Sequence, residues 1–173
     1  RGSVVTQPAT AARNAASAKF RATLEIFETV LDDLQAGRPI SGIKTAAGQT
    51  DTLIRRTGDE IADIFTFGKV MDGPQAGKFM KLLEKDFPLQ HVKLTETSVH
   101  EVNMVNKWLK VANYFNSAQE MHNRRIGYEM RLRTNLAKLG VTDFDNFDPK
   151  LIPQKDYVKA VEDAVDFALD MTF

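Results

Sequence analysis

Apolar residues recur along most of this chain at helical spacing. Over 9–36, Phe20, Leu24, Phe27, Leu31 and Leu34 alternate by four and three, which places them on one helix face. Ala12 and Ala16 extend that stripe with small side chains that admit a close neighbour. Gly37, followed by Pro39, predicts the stop. A second helix is expected over 41–67, where Ile43, Ala47, Leu53, Ile54, Ile61, Ile64 and Phe65 keep the period although Gly42, Gly48 and Gly58 interrupt it. Each internal Gly costs about 1 kcal/mol of helix relative to Ala. Thr57-Gly58-Asp59-Glu60 has the form of a capping box, so the pattern allows either one helix or a kink near Thr57. The short link after Gly37 makes the two helices an antiparallel hairpin.

Pro74 suits the first turn of a short helix running to Asp86, with Phe79, Leu82, Leu83 and Phe87 as its buried face and Pro88 as its end. Residues 88–97 alternate loosely, which reads as an extended run across the bundle. Ser98-Val99-His100-Glu101 is a second capping-box pattern and opens the longest element, 98–139. Its stripe runs from Val102 through Val105, Leu109, Ala112, Phe115, His122, Ile126, Leu132, Leu136 and Leu139, and Gly140 follows as a natural stop. Unbroken, such a helix is about 60 Å long at 1.5 Å per residue, beyond the width of a small globule. A bend near Gly127, an elongated molecule or packing on another chain would each accommodate it. After a loop over 141–155, a last helix over 155–170 carries Tyr157, Val158, Val161, Ala164, Val165, Ala168 and Leu169 on one face. The fold class expected is all-α: an elongated bundle of about five helices built on antiparallel hairpins.

Composition narrows this picture. At 173 residues and 19.4 kDa, one helical domain over 9–173 is expected. Residues 1–8 read as a tag remnant, Arg1-Gly2-Ser3, and a flexible lead-in; no signal peptide pattern is visible, and localisation stays open. The absence of Cys removes disulfides, thiolate metal sites and Cys nucleophiles. Twenty-three basic residues balance 23 acidic ones, which weighs against a general polyanion binder. No apolar run approaches the ~18–20 residues of a membrane span.

Candidate chemistry is sparse. Neither His100 nor His122 follows a Glu by three positions, so the Glu-x-x-His pairing of helical di-iron sites is missing and no cofactor or metal is expected. Asp143, Asp145 and Asp148 resemble the start of a calcium loop but lack its mid-loop Gly and terminal Glu, which leaves a solvated loop whose Phe144 and Phe147 cover the bundle end. Asp59/Glu60/Asp63 and Asp163/Asp166/Asp170 read as solvated helix faces. No nucleophile-elbow, phosphate-loop or zinc-protease motif occurs, so the chain is read as a non-enzyme. A pocket around His122 is the one small-molecule alternative.

Charge distribution says more. Residues 98–140 hold seven Lys/Arg against three Glu, while 141–173 hold three Lys against eight acids. The acidic last helix is therefore expected beside the basic half of the long one. Arg124, Arg125, Arg131 and Arg133 form a second possibility, a strip that could contact phosphates, with Tyr128 between two of them. Asn103, Asn106, Asn113 and Asn116 line another stripe beside Trp108 and Tyr114, residue types that anchor protein contacts. The leading expectation is a protein–protein interaction or assembly module, a structural subunit, adaptor or effector domain. It would use an exposed face of the long helix (Asn106, Trp108, Asn113, Tyr114 and the four arginines) to bind another protein or itself as a homo-oligomer. A nucleic-acid partner held by the 124–133 strip is the alternative.

Overall fold

The computed structural model describes residues 8–66, 78–95 and 107–171, with side chains over 13–62, 78–95 and 119–171. Six α-helices take up nearly all of them: α1 (Pro8–Gln35), α2 (Pro39–Thr66), α3 (Lys78–Asp86), α4 (Pro88–Thr95), α5 (Lys107–Lys138) and α6 (Gln154–Asp170). Among the described residues there is no strand, and no helix is long and apolar enough to cross a membrane. The chain forms the all-α bundle that its periodicity predicts.

The two predicted glycine stops act through one local geometry. Gly37 and Gly140 both take positive φ, +73° and +88°, in the left-handed region that costs a Cβ-bearing residue energy. Around Gly37, the Arg38 N–H donates to the Asp33 carbonyl at 2.7 Å and the Gly37 N–H to that of Leu34 at 3.1 Å. Around Gly140, the Val141 N–H donates to Leu136 and the Gly140 N–H to Ala137, both at 3.0 Å. These are the paired reversed bonds that satisfy the orphan carbonyls at a helix end.

One expectation changes and one open alternative is decided. Residues 88–95 are helical rather than extended: Pro88, which lacks the N–H that would have no partner in a first turn, ends α3 and begins α4, where Leu94 is the buried residue. The even spacing of Val92 and Leu94 misled because Val92 is exposed. At Thr57 the second helix does not break, because the Thr57 hydroxyl donates to the Leu53 carbonyl at 2.7 Å inside α2 instead of capping a new helix. The starts predicted at Pro74 and Ser98 lie outside the described residues.

α5 is the axis of the fold. α1 runs parallel to it, since Lys19 reaches Asn123 and Glu25 reaches Arg131. α2 runs antiparallel, with Gln49 at Thr134 and Arg56 at Glu129. α6 is antiparallel on the other side, with Asp163 at Asn135 and Ala168 at Gly127. Every residue from His122 to Met130 is buried, so this stretch of α5 has no solvent face.

The main apolar core lies between α5, α6 and the short pair α3/α4. Tyr128, Leu132 and Leu136 pack there with Phe79, Leu83, Leu94, Phe147, Tyr157, Val161 and Val165. Phe147 and the partly buried Phe144 close the end of this core, as the loop sequence suggested. α5 and α6 approach closely because their contact is built from small residues: a Cβ at Gly127 would lie 3.2 Å from the Ala168 Cα and 2.6 Å from the Met171 Sδ. No bend is needed at Gly127, which serves the packing instead.

Burial also governs the tyrosines of this core. It pushes the Tyr157 phenol up to about 12, with the Asp86 carboxylate adding to the effect, and it raises Tyr128 as well. A raised phenol pKa contributes stability that is complete below about pH 10 and is lost as pH climbs toward the folded-state value. Absorbance at 295 nm should therefore show Tyr128 and Tyr157 still protonated at pH 11 in folded protein, ionising together with loss of helical circular dichroism. Gly127→Ala should destabilise by about 1–3 kcal/mol in urea unfolding, from overpacking against α6. Gly58→Ala, on an exposed turn of α2 with nothing within 4 Å of the new Cβ, should stabilise by about 0.5–1 kcal/mol.

Candidate functional site

The α1/α2 hairpin is packed with its polar side inward. On α1, the buried positions are Ala18, Ala22, Glu25, Thr29 and Asp33; on α2 they include Thr45, Gln49, Thr52 and Glu60. Small and hydroxyl residues let the backbones approach, and the acids and amides meet polar groups of α5. The Gln49 amide nitrogen donates to the Thr134 hydroxyl at 2.6 Å, while Lys19 bridges Glu60 and Asn123.

At mid-height two arginines and two carboxylates alternate. The Arg56 Nε donates to Glu129 at 2.8 Å and its Nη1 to Asp59 at 2.7 Å. The Arg125 Nε donates to the second Glu129 oxygen at 3.3 Å, and its Nη1 lies 3.7 Å from Asp59. Burial lowers the proton affinity of Arg56, but Glu129 and Asp59 outweigh it and the net direction is up. For Arg125 burial wins, aided by repulsion from Arg56 against the pull of Glu129 and Asp59, and the direction is down. The four formal charges cancel, which makes their removal from water tolerable.

A third group ties α1 to α6. Arg131 donates to Glu25 at 2.9 Å and to Asp163 at 2.8 Å, and Asn135 donates to the same Asp163 oxygen at 2.8 Å. Partial burial alone would raise Asp163; the Arg131 and Asn135 hydrogen bonds hold it below the usual carboxylate range. The basic face of the long helix thus does lie against the acidic last helix, at this pair.

Of the sequence-predicted site residues, only the four arginines have described side chains, and those do not come together. Asn106 lies outside the described residues, as do the side chains of Trp108, Asn113 and Tyr114 on the first turns of α5. The four arginines point to different neighbours. Arg124 pairs with Glu120 on its own helix, Arg125 sits in the charge quartet and Arg131 spans α1 and α6. Arg133 lies over the Phe79 and Phe144 rings, 5.3 and 5.1 Å from their centroids. They form no exposed strip, and between Gln119 and Ala137 every residue of α5 is buried or only partly exposed. Asp59 and Glu60, read as a solvated face, are turned inward. The Asp143 carboxylate folds back on its own loop, accepting from the Asp145 and Asn146 N–H groups at 3.1 and 3.2 Å. His122 is fully buried. Among the described residues no group of three His, Asp or Glu side chains is placed to hold a metal ion. A shallow groove of about 210 Å³ between Arg21, Glu28 and Phe167 is smaller than the ~300–1,000 Å³ of small-molecule sites.

What the structure does assemble is an apolar face. Because the hairpin's polar side covers α5, the stripe Phe20, Leu24, Phe27, Leu31 and Leu34 faces solvent, and so do Ile40, Ile43, Ile54 and Ile61 of α2. All nine are between 44% and 71% exposed. They lie on the side of the two-helix layer opposite α5. Monomeric proteins rarely leave contiguous apolar patches above a few hundred Å²; these nine side chains expose on the order of 1,000 Å², comparable with one partner's share of a stable interface. At ~25 cal/mol per Å², transfer of that area from water is worth roughly 25 kcal/mol gross, unused in the isolated chain. The α1 stripe was visible in the sequence, but its direction was not. The clue was the opposite row, Ala18, Ala22 and Thr29 among acids, which is itself suited to close packing.

No protein-family model matches the chain, and neither a similar curated protein nor a similar solved structure was found.

The charge quartet yields a stability prediction. Glu129→Gln removes the carboxylate that Arg56 and Arg125 share, and should cost about 3 kcal/mol or more in chemical unfolding. Replacing all four with apolar residues of similar size (Arg56→Met, Asp59→Leu, Arg125→Met, Glu129→Met) should recover most of that loss. Arg55→Ala, which breaks an exposed pair with Asp51, should change stability by less than about 1 kcal/mol.

Proposed function

We propose that this chain is a non-enzymatic protein–protein interaction or assembly module, a structural subunit, adaptor or effector domain. One observation carries the reading: the hairpin turns nine large apolar side chains to solvent on two adjacent helices. An unsupported patch of this size is an aggregation liability unless a partner covers it. We therefore assign the contact surface to α1 and α2 rather than to α5. Trp108 and Tyr114 remain secondary candidates on the N-terminal turns of α5. Nucleic acid is the weaker partner class, since Arg124, Arg125 and Arg131 already meet carboxylates and Arg133 two aromatic rings. A phosphate would have to displace those contacts.

The reading depends on the face being external to the monomer's own core. Phe27→Gln, measured by urea unfolding at sub-micromolar protein, should shift stability by no more than about 0.5 kcal/mol, as surface substitutions do. A loss of 3–5 kcal/mol, the range for truncating a buried Phe, would place Phe27 inside a core and remove the proposed contact surface. Binding of a hydrophobic dye should fall in the same variant while helicity holds.

A further inference from the structure

We infer that the partner for this face is a second copy of the same chain, with two hairpins closing into a four-helix bundle about a two-fold axis parallel to the helices. The inference rests on the interaction reading above and adds the identity of the partner. Three observations carry it.

The first is the period. On α1 the exposed seam Phe20, Leu24, Phe27, Leu31, Leu34 is spaced four, three, four, three. On α2 the row Ile40, Ile43, Ala47, Thr50, Ile54, Thr57, Ile61 is spaced three and four throughout, and only Thr57 is partly covered. A sustained 3.5-residue repeat keeps a seam facing another helix over several turns, so it selects a helical partner lying along the pair. Two such seams side by side need a two-helix layer to cover them, and the same hairpin supplies one. A two-fold contact uses one self-complementary patch on both subunits.

The second is size. Two faces on the order of 1,000 Å² each give a total at the upper end of the ~1,200–2,000 Å² typical of stable interfaces.

The third is charge. Taking Leu24 and Leu31, and Ile40, Ala47 and Ile54, as the first positions of each heptad, Arg21, Glu28, Lys44 and Asp51 all fall at the same flanking position, the fifth. Flanking charges of this kind set partner choice and orientation. All four residues are exposed. Arg21 and Glu28 are seven apart, and so are Lys44 and Asp51. When α1 of one copy lies antiparallel to α2 of the other, equivalent flanking positions meet. Both pairs need one register, and a two-fold parallel to the helices carries it over from the hairpin, where a Cβ at Gly42 would lie 3.6 Å from the Val30 Cα: Glu28 comes level with the other copy's Lys44 and Arg21 with its Asp51. Within one chain Glu28 lines a groove with Phe167 and Asp170 of α6. The present contacts of the flanking charges are weak competitors: Arg21 donates to the Asp170 carbonyl at an exposed site, and Asp51 pairs with Arg55 in an exposed bridge. The mixed signs also set this face apart from the cationic flanks of helices that lie on membranes.

The test is sedimentation equilibrium of the full chain from about 1 to 100 μM, with circular dichroism as the control for folding. The expected mass is twice 19.4 kDa at the upper concentrations. Leu24→Glu with Leu31→Glu should raise the dimer dissociation constant at least 100-fold. Glu28→Lys should weaken pairing several-fold, and adding Lys44→Glu should restore it. Should the double Glu variant unfold, the charge reversal and its rescue decide alone. Because the chain has no Cys, Phe27→Cys reports accessibility directly, and its maleimide labelling should slow as concentration rises. A monomer at 100 μM with rapid Phe27→Cys labelling would overturn self-pairing and leave the interaction reading standing. A monomer with protected Phe27→Cys would overturn both. A dimer indifferent to the Glu substitutions, or a monomer that binds phosphatidylcholine vesicles through this face, would also overturn the inference.

Discussion

The arrangement of the whole molecule follows from burying the Arg125–Glu129 turn of α5. With α6, α3 and α4 on one side and the hairpin on the other, residues 122–130 have no access to water. A guanidinium and a carboxylate in such a place must be matched, because an uncompensated buried charge costs several kcal/mol. Arg56 and Asp59 of α2 supply the match; above and below, Glu25 meets Arg131, Gln49 meets Thr134, and Lys19 joins Glu60 to Asn123. α1 and α2 therefore present their polar faces to α5. Each is amphipathic, so the orientation that satisfies α5 sends both apolar faces outward. The exposed seam is the geometric consequence of a buried salt-bridge quartet.

The two sides of α5 do different physical work. Toward α6 the contact is apolar and close, built on Gly127, Ala160, Ala164 and Ala168 with Tyr128, Leu132 and Leu136 around them. Area removed from water drives that side. Toward the hairpin the small apolar cluster of Ala18, Ala22, Ile126, Met130 and Met171 is interleaved with ion pairs. Buried ion pairs roughly break even against desolvation, so they fix which residues meet more than they stabilise the meeting. Lys19 with Asn123, Arg56 with Glu129 and Arg131 with Glu25 define one register of each hairpin arm. A shift by one turn would leave several charges unpaired.

Much of the fold was legible in the residues. The helices announce themselves through three-and-four spacing, and the ends at Gly37 and Gly140 through the left-handed conformation that those sites adopt. The charge imbalance between 98–140 and 141–173 correctly brought α6 beside α5, and the Arg131–Asp163 pair realises it. What a periodicity cannot say is which way a stripe points. α1 carries two rows at helical spacing, a large apolar one and a small polar one, and transfer free energy alone assigns the large one to the core. The deciding fact is tertiary: the polar row meets charges on α5 more than a hundred positions later in the chain. The arginines of 124–133 show the same limit. Their spacing shows one crowded basic stretch, yet the helix turns each toward a different neighbour, and the carboxylates and rings that receive them come from α5 itself and five other segments.

This division has a consequence for the hairpin itself. α3, α4, α5 and α6 share a core that holds most of the buried apolar area of the described residues, whereas α1 and α2 hold on to α5 chiefly through paired charges and a handful of small side chains. Local stability follows buried apolar contact, so the hairpin is the part of the molecule with least of its own. Anything that covers the outer seam adds the missing hydrophobic term to the same two helices, and binding that favours the folded form stabilises it by mass action. Docking and the ordering of α1 and α2 are thereby linked. The buried quartet fixes the register of the hairpin on α5, and a partner covering the seam would supply the free energy that the quartet, nearly neutral in its own balance, does not.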